Sequence, residues 1–216
     1  MTFKLRNWLA ISLLSFLWGC YPKGPEYTDD LDLVYTNYSQ EFDFAAAKTY
    51  AIPDSVVKLT GDEFQDPDGN GKPTFANPAY ANAILTSIKQ NMDKNGWTMV
   101  NKNNNPNVII LPLTTTTTNL FYYYDWAYWG WYYPGWYPGW GWYYPGYYPP
   151  YVSAYRTGSV FIQMVNRINV PSQGENIPVV WSCILNGLAE GSTSDLVFRI
   201  QSGIDKGFNQ SPYLKH

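Results

Sequence analysis

Residues Val108–Thr118 read VIILPLTTTTT, a run in which β-branched side chains predominate. Such side chains pack well on a pleated sheet, so the run predicts a strand. A second half-buried strand is predicted further on, because five apolar residues there share one parity; they are Val160, Ile162, Met164, Ile168 and Val170. The residues between these two runs therefore form an insertion that bridges two strands.

The core of this insertion is Phe121–Tyr151, FYYYDWAYWGWYYPGWYPGWGWYYPGYYPPY. Nineteen of its thirty-one residues are aromatic, and nearly all the others are Gly or Pro. Its five prolines exclude a helix and would break a central strand, because each removes a backbone donor and fixes φ. The rings follow no period of 2 or 3.6, so they cannot all face one interior. We expect a long loop outside the core, with most rings turned to solvent or to a ligand.

Four interpretations of this aromatic segment stay open. It is a loop without a dedicated ligand, a contact with the lipid interface where Trp and Tyr settle, a site for glycan or peptide, or a surface for assembly with another envelope protein. The candidate ligand or membrane contacts are its six tryptophans: Trp126, Trp129, Trp131, Trp136, Trp140 and Trp142.

Two helices are predicted, one before and one after the insertion. The first begins at Asn77-Pro78, an N-cap followed by Pro, and ends at Gly96. The second is capped by Ser194. Each carries an apolar stripe, formed by Ile84, Leu85, Ile88 and Met92 in the first helix and by Leu196, Val197, Ile200, Ile204 and Phe208 in the second.

The remaining strands are predicted at Leu31–Tyr35, Lys48–Ile52, Trp97–Val100 and Val179–Leu188, whereas Asp54–Asn77 is expected to be loop. In the last strand, alternation puts Val179, Trp181, Cys183 and Leu185 on one face. The order of elements predicts a single α+β domain over residues 31–216, with a largely antiparallel sheet, two helices on one face and the aromatic loop inserted between two strands.

The predicted loop contains a partial calcium-binding pattern, Asp66-Pro67-Asp68-Gly69-Asn70-Gly71. Oxygen ligands at Asp66, Asp68 and Asn70 match the first half of such a loop. The second half departs from the pattern, because position 12 is Asn77 and not Glu. An ordinary Asp/Asn/Gly turn is the alternative.

The first nineteen residues predict a signal peptide. Lys4 and Arg6 precede an uncharged apolar run, and Leu17-Trp18-Gly19-Cys20 resembles the lipobox of bacterial lipoproteins. That resemblance implies cleavage before Cys20, a diacylglycerol on its sulfur and acylation, for example by palmitate, of its amino group. Residues 20–30 would then be a lipidated tether, and Tyr21 at the next position favours the outer membrane over retention in the inner one.

Composition narrows the functions that remain. The formal net charge is −3 and no Lys/Arg cluster accompanies the aromatic rings, so we expect no nucleic-acid partner. No nucleophile elbow or phosphate loop is present, and the single histidine is His216. Cys183 is predicted to be a buried, inert thiol. We therefore expect a non-catalytic protein with no cofactor other than calcium, while a carboxylate pair such as Asp43 with Asp62 stays open.

Several short motifs carry a family resemblance. They are Asp43-Phe44 with Lys48-Thr49-Tyr50, Gly96-Trp97, Pro106-Asn107-Val108, Gly158–Ile162, Val180-Trp181, and Phe208 with Ser211-Pro212-Tyr213. Together they resemble the lipoproteins grouped as domain of unknown function 4136, with Asn107 where an Asp is common in that family. The resemblance implies a bacterial envelope lipoprotein with an α+β domain, and it implies no particular activity.

Overall fold

The computed structural model describes residues 33–59, 69, 72–115, 129, 131–132, 142–146, 158–167, 177–188 and 191–216. Within these ranges, eight strands and two α-helices make up the regular structure. The strands are β1 Leu33–Tyr38, β2 Thr49–Ala51, β3 Val57–Leu59, β4 Thr98–Met99, β5 Val108–Thr115, β6 Trp142–Tyr143, β7 Ser159–Asn166 and β8 Ile177–Asn186. The helices are α1 Pro78–Lys94 and α2 Thr193–Asn209, and a short 3₁₀ helix follows at Pro212–Leu214.

Seven of these strands form one mixed open sheet, in the order β1-β8-β7-β5-β2-β4 with β3 beside β5. The three longest ladders, β1 with β8, β8 with β7 and β7 with β5, are antiparallel. The short pairings of β2 with β4, β2 with β5 and β3 with β5 are parallel. The mostly antiparallel sheet and the two helices confirm the predicted α+β class.

Strand β3 lies in the stretch that the sequence predicts as loop, and this prediction is wrong at Val57–Leu59. β2 pairs with the beginning of β5 through Ala51 and Ile109, and β3 pairs with its end through Val57 and Leu113. The two short strands therefore share one edge of β5. Pro112 has no N–H to donate, and it lies where β5 changes partner from β2 to β3.

A register shift in β8 corrects one predicted face. Met164 pairs with Trp181 but its neighbour Val165 pairs with Val179, so β8 carries an extra residue at Val180. Such a bulge reverses the side-chain alternation beyond it. Trp181, Cys183 and Leu185 lie on the helix side as predicted, whereas Val179 lies on the opposite side.

Both helices have the predicted apolar stripes, and their ends follow local rules. The Asn77 side chain accepts a hydrogen bond from the N–H of Ala79, which confirms the predicted start of α1. The predicted cap of α2 is wrong by two residues. Ser192 is the cap, because it forms a reciprocal capping box with Asp195.

The helices cover one face of the sheet and enclose the larger core cluster. Two glycines of α2 allow close contact with β8, since a Cβ built on Gly203 would lie 2.6 Å from Leu185 Cδ2, and one on Gly207 would lie 2.4 Å from Cys183 Sγ. Cys183 is buried and free, and burial raises the pKa of its thiol well above the usual range. The predicted burial of this thiol is thus confirmed, and its inertness stays a prediction.

The C-terminal residues close this helix side. The Trp181 indole donates to Ser211 Oγ at 2.9 Å, and the Trp97 indole donates to the Leu214 carbonyl at 2.7 Å. Tyr213 stacks on Tyr38 with ring centroids 3.7 Å apart. Several of the residues that carry the family resemblance therefore meet in one packed and hydrogen-bonded cluster around the end of the chain.

The opposite face of the sheet carries a second core cluster. It contains Ile109, Leu111, Phe161 and Ile184 from the central strands, together with Trp129 and Tyr132 from the aromatic segment. Trp129 is fully buried and Tyr132 is 9% exposed. The expectation that the segment lies wholly outside the core is wrong at these two residues, because ring burial on a flat sheet face requires no sequence period.

Candidate functional site

The aromatic segment joins the sheet at the adjacent ends of β5 and β7. The N–H of Gly158 donates to the carbonyl of Thr115 at 3.0 Å, and the N–H of Leu188 donates to the carbonyl of Gly158 at 3.1 Å. Gly158 has a φ of 90°, which favours glycine over any other residue. Residues entering and leaving the insertion are therefore held side by side, as expected for a segment that bridges two strands.

The first described stretch of the segment is a turn at residues 129–132. The N–H of Tyr132 donates to the Trp129 carbonyl at 2.9 Å. The Lys102 ammonium donates to the Tyr132 carbonyl and lies 4.7 Å from the centre of its ring. Trp131 meets Phe75 edge to face, with centroids 5.2 Å apart. This turn is thus attached to the sheet by one cation and by aromatic packing.

The second described stretch comprises residues 142–146. Trp142 and Tyr143 form β6, which pairs in parallel with Ile177 and Pro178 at the start of β8. The next residue, Tyr144, accepts a hydrogen bond from Gln163 Nε2 of β7 through its hydroxyl, at 2.9 Å. Backbone and side-chain contacts therefore fix the segment to the second sheet face at a second point.

The six predicted contact tryptophans fall into three groups. Trp129 is fully buried and Trp131 is half-buried, both within the second cluster. Trp142 lies in the β6 backbone pairing. Trp126, Trp136 and Trp140 lie outside the described residues. In this structure Trp129 supports the sheet, so the residues of the segment that could meet a partner are the others.

Sequence reasoning missed a row of polar side chains on the same face. Asn37 of β1 is directly opposite Ser182 of β8, and Ser182 is directly opposite Gln163 of β7. Gln163 is 3% exposed and Ser182 is 4% exposed, yet Gln163 Oε1 and Ser182 Oγ have no hydrogen-bond partner in the described part of the protein. Each such group costs about 1–3 kcal/mol relative to a hydrogen-bonded one. The three residues lie on strands that are neighbours in the sheet but far apart in the sequence, so they gave no local sequence signal.

The other predicted site residues either lie outside the described residues or, like Asp43, have a structural role. Asp66, Asp68 and Asn70 lie outside the described residues, as do Cys20 and Asp62. Asp43 Oδ1 accepts a hydrogen bond from the N–H of Ala46 at 3.1 Å and so stabilises a turn. Among the residues that are described, no group of three or more His, Cys, Asp or Glu side chains is arranged to hold a metal ion.

His216, the one histidine, packs at the end of α1. Its ring lies 4.7 Å from that of Trp97, and its Nδ1 is 3.0 Å from the Lys48 ammonium. Desolvation and the nearby Lys48 charge lower the pKa of His216. These contacts tie the C-terminus to the first strands and to α1.

Asn107 has a structural role at the start of β5. Its Oδ1 accepts hydrogen bonds from the N–H groups of Lys48 and Thr49 and from the Thr49 hydroxyl, at 2.8, 2.9 and 3.0 Å. An aspartate at this position would present an oxygen with the same geometry. The motif residues of the family resemblance thus organise the fold, and the aromatic segment carries the features that could meet a partner.

These features define a small α+β domain with helices on one face of an open mixed sheet and an aromatic insertion on the other. The sequence matches the family described as Domain of unknown function (DUF4136) over residues 34–213. The chain belongs to this family, which confirms the resemblance predicted from the short motifs.

Two solved structures resemble the fold. One is a DUF4136 family protein from Bacteroides thetaiotaomicron, with 28% sequence identity, a TM-score of 0.65, and coverage of 85% of this chain and 97% of that protein. The other is a PDZ domain protein from Parabacteroides distasonis, with 17% identity and a TM-score of 0.44; the match covers 86% of this chain and 37% of that one. No curated protein sequence matches the chain. In the described ranges, neither helix is long and apolar enough to cross a bilayer.

Proposed function

We propose that the protein is a non-catalytic envelope lipoprotein, anchored in the outer membrane at Cys20, whose domain presents the aromatic segment to the membrane interface or to an envelope partner. The observation that carries the proposal is the attachment of this segment to one face of the sheet. Trp129 and Tyr132 pack in the core cluster on that face, and the Tyr144 hydroxyl accepts a hydrogen bond from Gln163 there. The opposite face is already occupied by the helices.

The anchoring part rests on the sequence around Cys20. A basic start, an apolar run and Leu17-Trp18-Gly19-Cys20 are typical of a lipoprotein leader. Two or more acyl chains hold a protein stably on a bilayer, whereas one chain is marginal. The tether of residues 20–30 would let the domain rest on the surface beneath it.

The contact part rests on the chemistry of the segment. Trp and Tyr combine an apolar ring with a hydrogen-bonding group and so prefer the boundary between lipid and water. Asp125 is the one charged residue in Phe121–Tyr151, so few charges would need to be desolvated. A few buried rings, at about 2–3 kcal/mol each, would match the contribution of an acyl chain.

A glycan- or peptide-binding module is the second candidate, and the polar row favours the glycan. Sugar rings stack on aromatic faces and use amide and hydroxyl groups as hydrogen-bond partners. Gln163 and Ser182 provide such groups beneath the aromatic segment, with Oε1 and Oγ unpaired in the described structure. This reading requires the segment to uncover the row.

Anchoring is tested by comparing Cys20→Ala with the unaltered protein in cells. Lipidation predicts that the unaltered protein incorporates labelled palmitate and sediments with outer membranes. The Cys20→Ala protein should incorporate no label and lose its membrane attachment. Retention of label by this variant would contradict the anchoring site.

Contact is tested by the tryptophan fluorescence of the chain that starts at Tyr21. Six of its eight tryptophans lie in the segment, so the segment dominates the emission. We expect a blue shift on adding zwitterionic phospholipid vesicles, and a smaller shift for Trp136→Ala combined with Trp140→Ala. Phe198→Ala is the matched control, because Phe198 is a 62% exposed aromatic residue on α2, which lies on the helix side of the sheet.

Other outcomes separate the candidates. A shift with purified peptidoglycan fragments but not with vesicles, weakened by Gln163→Leu, would favour the glycan-binding module. No shift with either probe would contradict both the lipid and the glycan contact and leave a protein partner as the remaining form of the proposal.

A further inference from the structure

A pocket of about 170 Å³ lies beside the root of the aromatic segment, on the helix side of the sheet. It is bounded by β3, by the ends of β5 and β7, by the first turn of α1 and by the first half of α2. This volume is smaller than the roughly 300–1,000 Å³ of sites for drug-sized ligands, so it limits the occupant to a molecule of few atoms. Thr115, Gly158 and Leu188, which form the hydrogen bonds at the root of the segment, also line this pocket. Trp129 and Tyr132 of the segment pack on the opposite face of the sheet, so the pocket is separate from their cluster.

One side of the pocket is apolar. Val160 and Ile200 are almost fully buried, and Leu188 and Leu196 complete this wall. The wall is rigid because Val160 lies on a central strand and Ile200 on a helix packed against the sheet. Such a surface binds a hydrocarbon group through burial of apolar area.

The facing side carries one cation and two hydroxyl groups. Lys58 of β3 is directly opposite Thr114 of β5, and Tyr80 comes from the first turn of α1. Lys58 is the one charged residue of the lining, which contains no Asp or Glu. Among the described residues its ammonium group contacts no carboxylate, so its charge is available to a ligand.

We propose that this pocket binds an amphipathic monoanion, a carboxylate carried on a short hydrocarbon tail. The carboxylate would accept hydrogen bonds from Lys58 and from the hydroxyl of Tyr80. The tail would lie on the wall of Val160, Leu188, Leu196 and Ile200. Charge-assisted hydrogen bonds of this kind are shorter and stronger than neutral ones. A cation would be repelled by Lys58, and a neutral alcohol would lack the ion pair.

The probe is hexanoate, titrated calorimetrically into the full chain in mild non-ionic detergent, with protein-free detergent subtracted. We expect saturable binding with a dissociation constant on the order of 1 mM, which is typical of a ligand with so few atoms. Hexan-1-ol should bind about tenfold more weakly, and hexylammonium should show no saturable binding. Added salt should weaken hexanoate binding, because Lys58 is partly exposed.

Variants locate the binding. Lys58→Met should weaken hexanoate binding about tenfold and Lys58→Arg should retain most of it, whereas Leu196→Trp should abolish it by filling the pocket. Lys94→Met is the matched control: Lys94 is the last residue of α1, roughly 20 Å along the helix from Tyr80, and this change should have no effect. Circular dichroism of each variant checks that it is folded.

The proposal is overturned by any of three results. These are no saturable hexanoate binding, equal binding of hexanoate by folded Lys58→Met, or equally tight binding of hexylammonium. Because none of these measurements involves Cys20 or vesicle contact by the aromatic segment, failure here is distinguishable from failure of the proposed envelope function.

Discussion

Two fully buried tryptophans lie on opposite faces of the same sheet, and they are held differently. On the helix face, the Trp181 indole donates to Ser211 Oγ at 2.9 Å, and its ring packs 5.2 Å from that of Phe208. On the other face, the Trp129 indole Nε1 is buried without a hydrogen-bond partner in the described part of the protein. A buried donor without a partner costs about 1–3 kcal/mol. The difference identifies the helix face as the consolidated core and the aromatic cover as the weaker half.

The helix face also leaves fewer buried polar groups unpaired, with the Tyr50 hydroxyl as the one such side-chain group of its core cluster among the described residues. Asn91 of α1 donates both to the carbonyl of Ser87 and to Asp205 of α2, so the two helices are joined by a partly buried hydrogen bond. On the second face, Gln163 Oε1 and Ser182 Oγ, like the Trp129 indole, have no hydrogen-bond partner in the described part of the protein. A partner that forms hydrogen bonds with these unpaired groups would displace the aromatic segment more easily than one that had to break existing hydrogen bonds.

The largest expected effect separates the two tryptophans directly. Trp181→Phe removes ring volume and the hydrogen bond to Ser211, so it should lower the free energy of unfolding by about 2–3 kcal/mol. Trp129→Phe removes similar volume but also an unpaired donor, and these effects oppose each other. Its change should stay within about 1 kcal/mol. Urea unfolding of both variants measures this difference, and equal losses of unfolding free energy in the two variants would contradict it.

The second prediction tests how tightly the helix face is packed. Gly207→Ala places a methyl group 2.4 Å from Cys183 Sγ, so overpacking should exceed the gain in helix propensity and destabilise by about 1–2 kcal/mol. In a Cys183→Ala background the clash is absent, and the same change should be neutral or stabilising. Additive effects in this double-mutant cycle would show that α2 and β8 are not in close contact.

The third prediction concerns a substitution that weakens the attachment of the aromatic segment. Lys102→Met removes the hydrogen bond to the Tyr132 carbonyl and the cation over its ring, and should lower the unfolding free energy by about 0.5–1 kcal/mol. It should also shift tryptophan emission to longer wavelength, as the turn at residues 129–132 becomes more accessible. Lys94→Met, which removes an exposed lysine from α1, should change neither quantity.

The smallest effect concerns pH and the C-terminus on the helix side. Desolvation and Lys48 lower the pKa of His216 in the folded protein, so the unfolded chain binds the proton more readily. The contribution of His216 to the free energy of unfolding is therefore fully present above about pH 6.5 and decreases as the pH falls toward the lowered pKa. Thermal unfolding across this window should show a dependence that His216→Gln removes. An unchanged dependence in His216→Gln would contradict this origin.

Local signals were enough to predict much of the fold. The start of α1 at Asn77-Pro78 and its end near Gly96 depend on cap chemistry within a few residues. Four residues of the family motifs likewise lie in the packed cluster around the end of the chain; they are Trp97, Trp181, Ser211 and Tyr213. By contrast, β3 has three residues and exists because β5, some fifty positions later in the chain, provides its hydrogen bonds. The face of Val179 depends on a bulge that alternation does not reveal.

The candidate site was less predictable than the fold for the same reason. Composition located the aromatic segment, yet the burial of Trp129 depends on a flat sheet face made by distant strands. The polar row joins β1, β8 and β7, and the pocket beside Lys58 joins strands and both helices. Such sites come from tertiary convergence and not from sequence spacing.

The most direct measurement is hydrogen exchange at the indole N–H groups of Trp129 and Trp181, followed by NMR in the chain that starts at Tyr21. If the helix face is the consolidated core and the aromatic segment its weaker counterpart, the Trp129 indole should exchange roughly 100-fold faster than the Trp181 indole. Vesicle binding should change the Trp129 rate and leave the Trp181 rate unaltered. Equal protection of the two indoles, in the presence and absence of vesicles, would contradict the account.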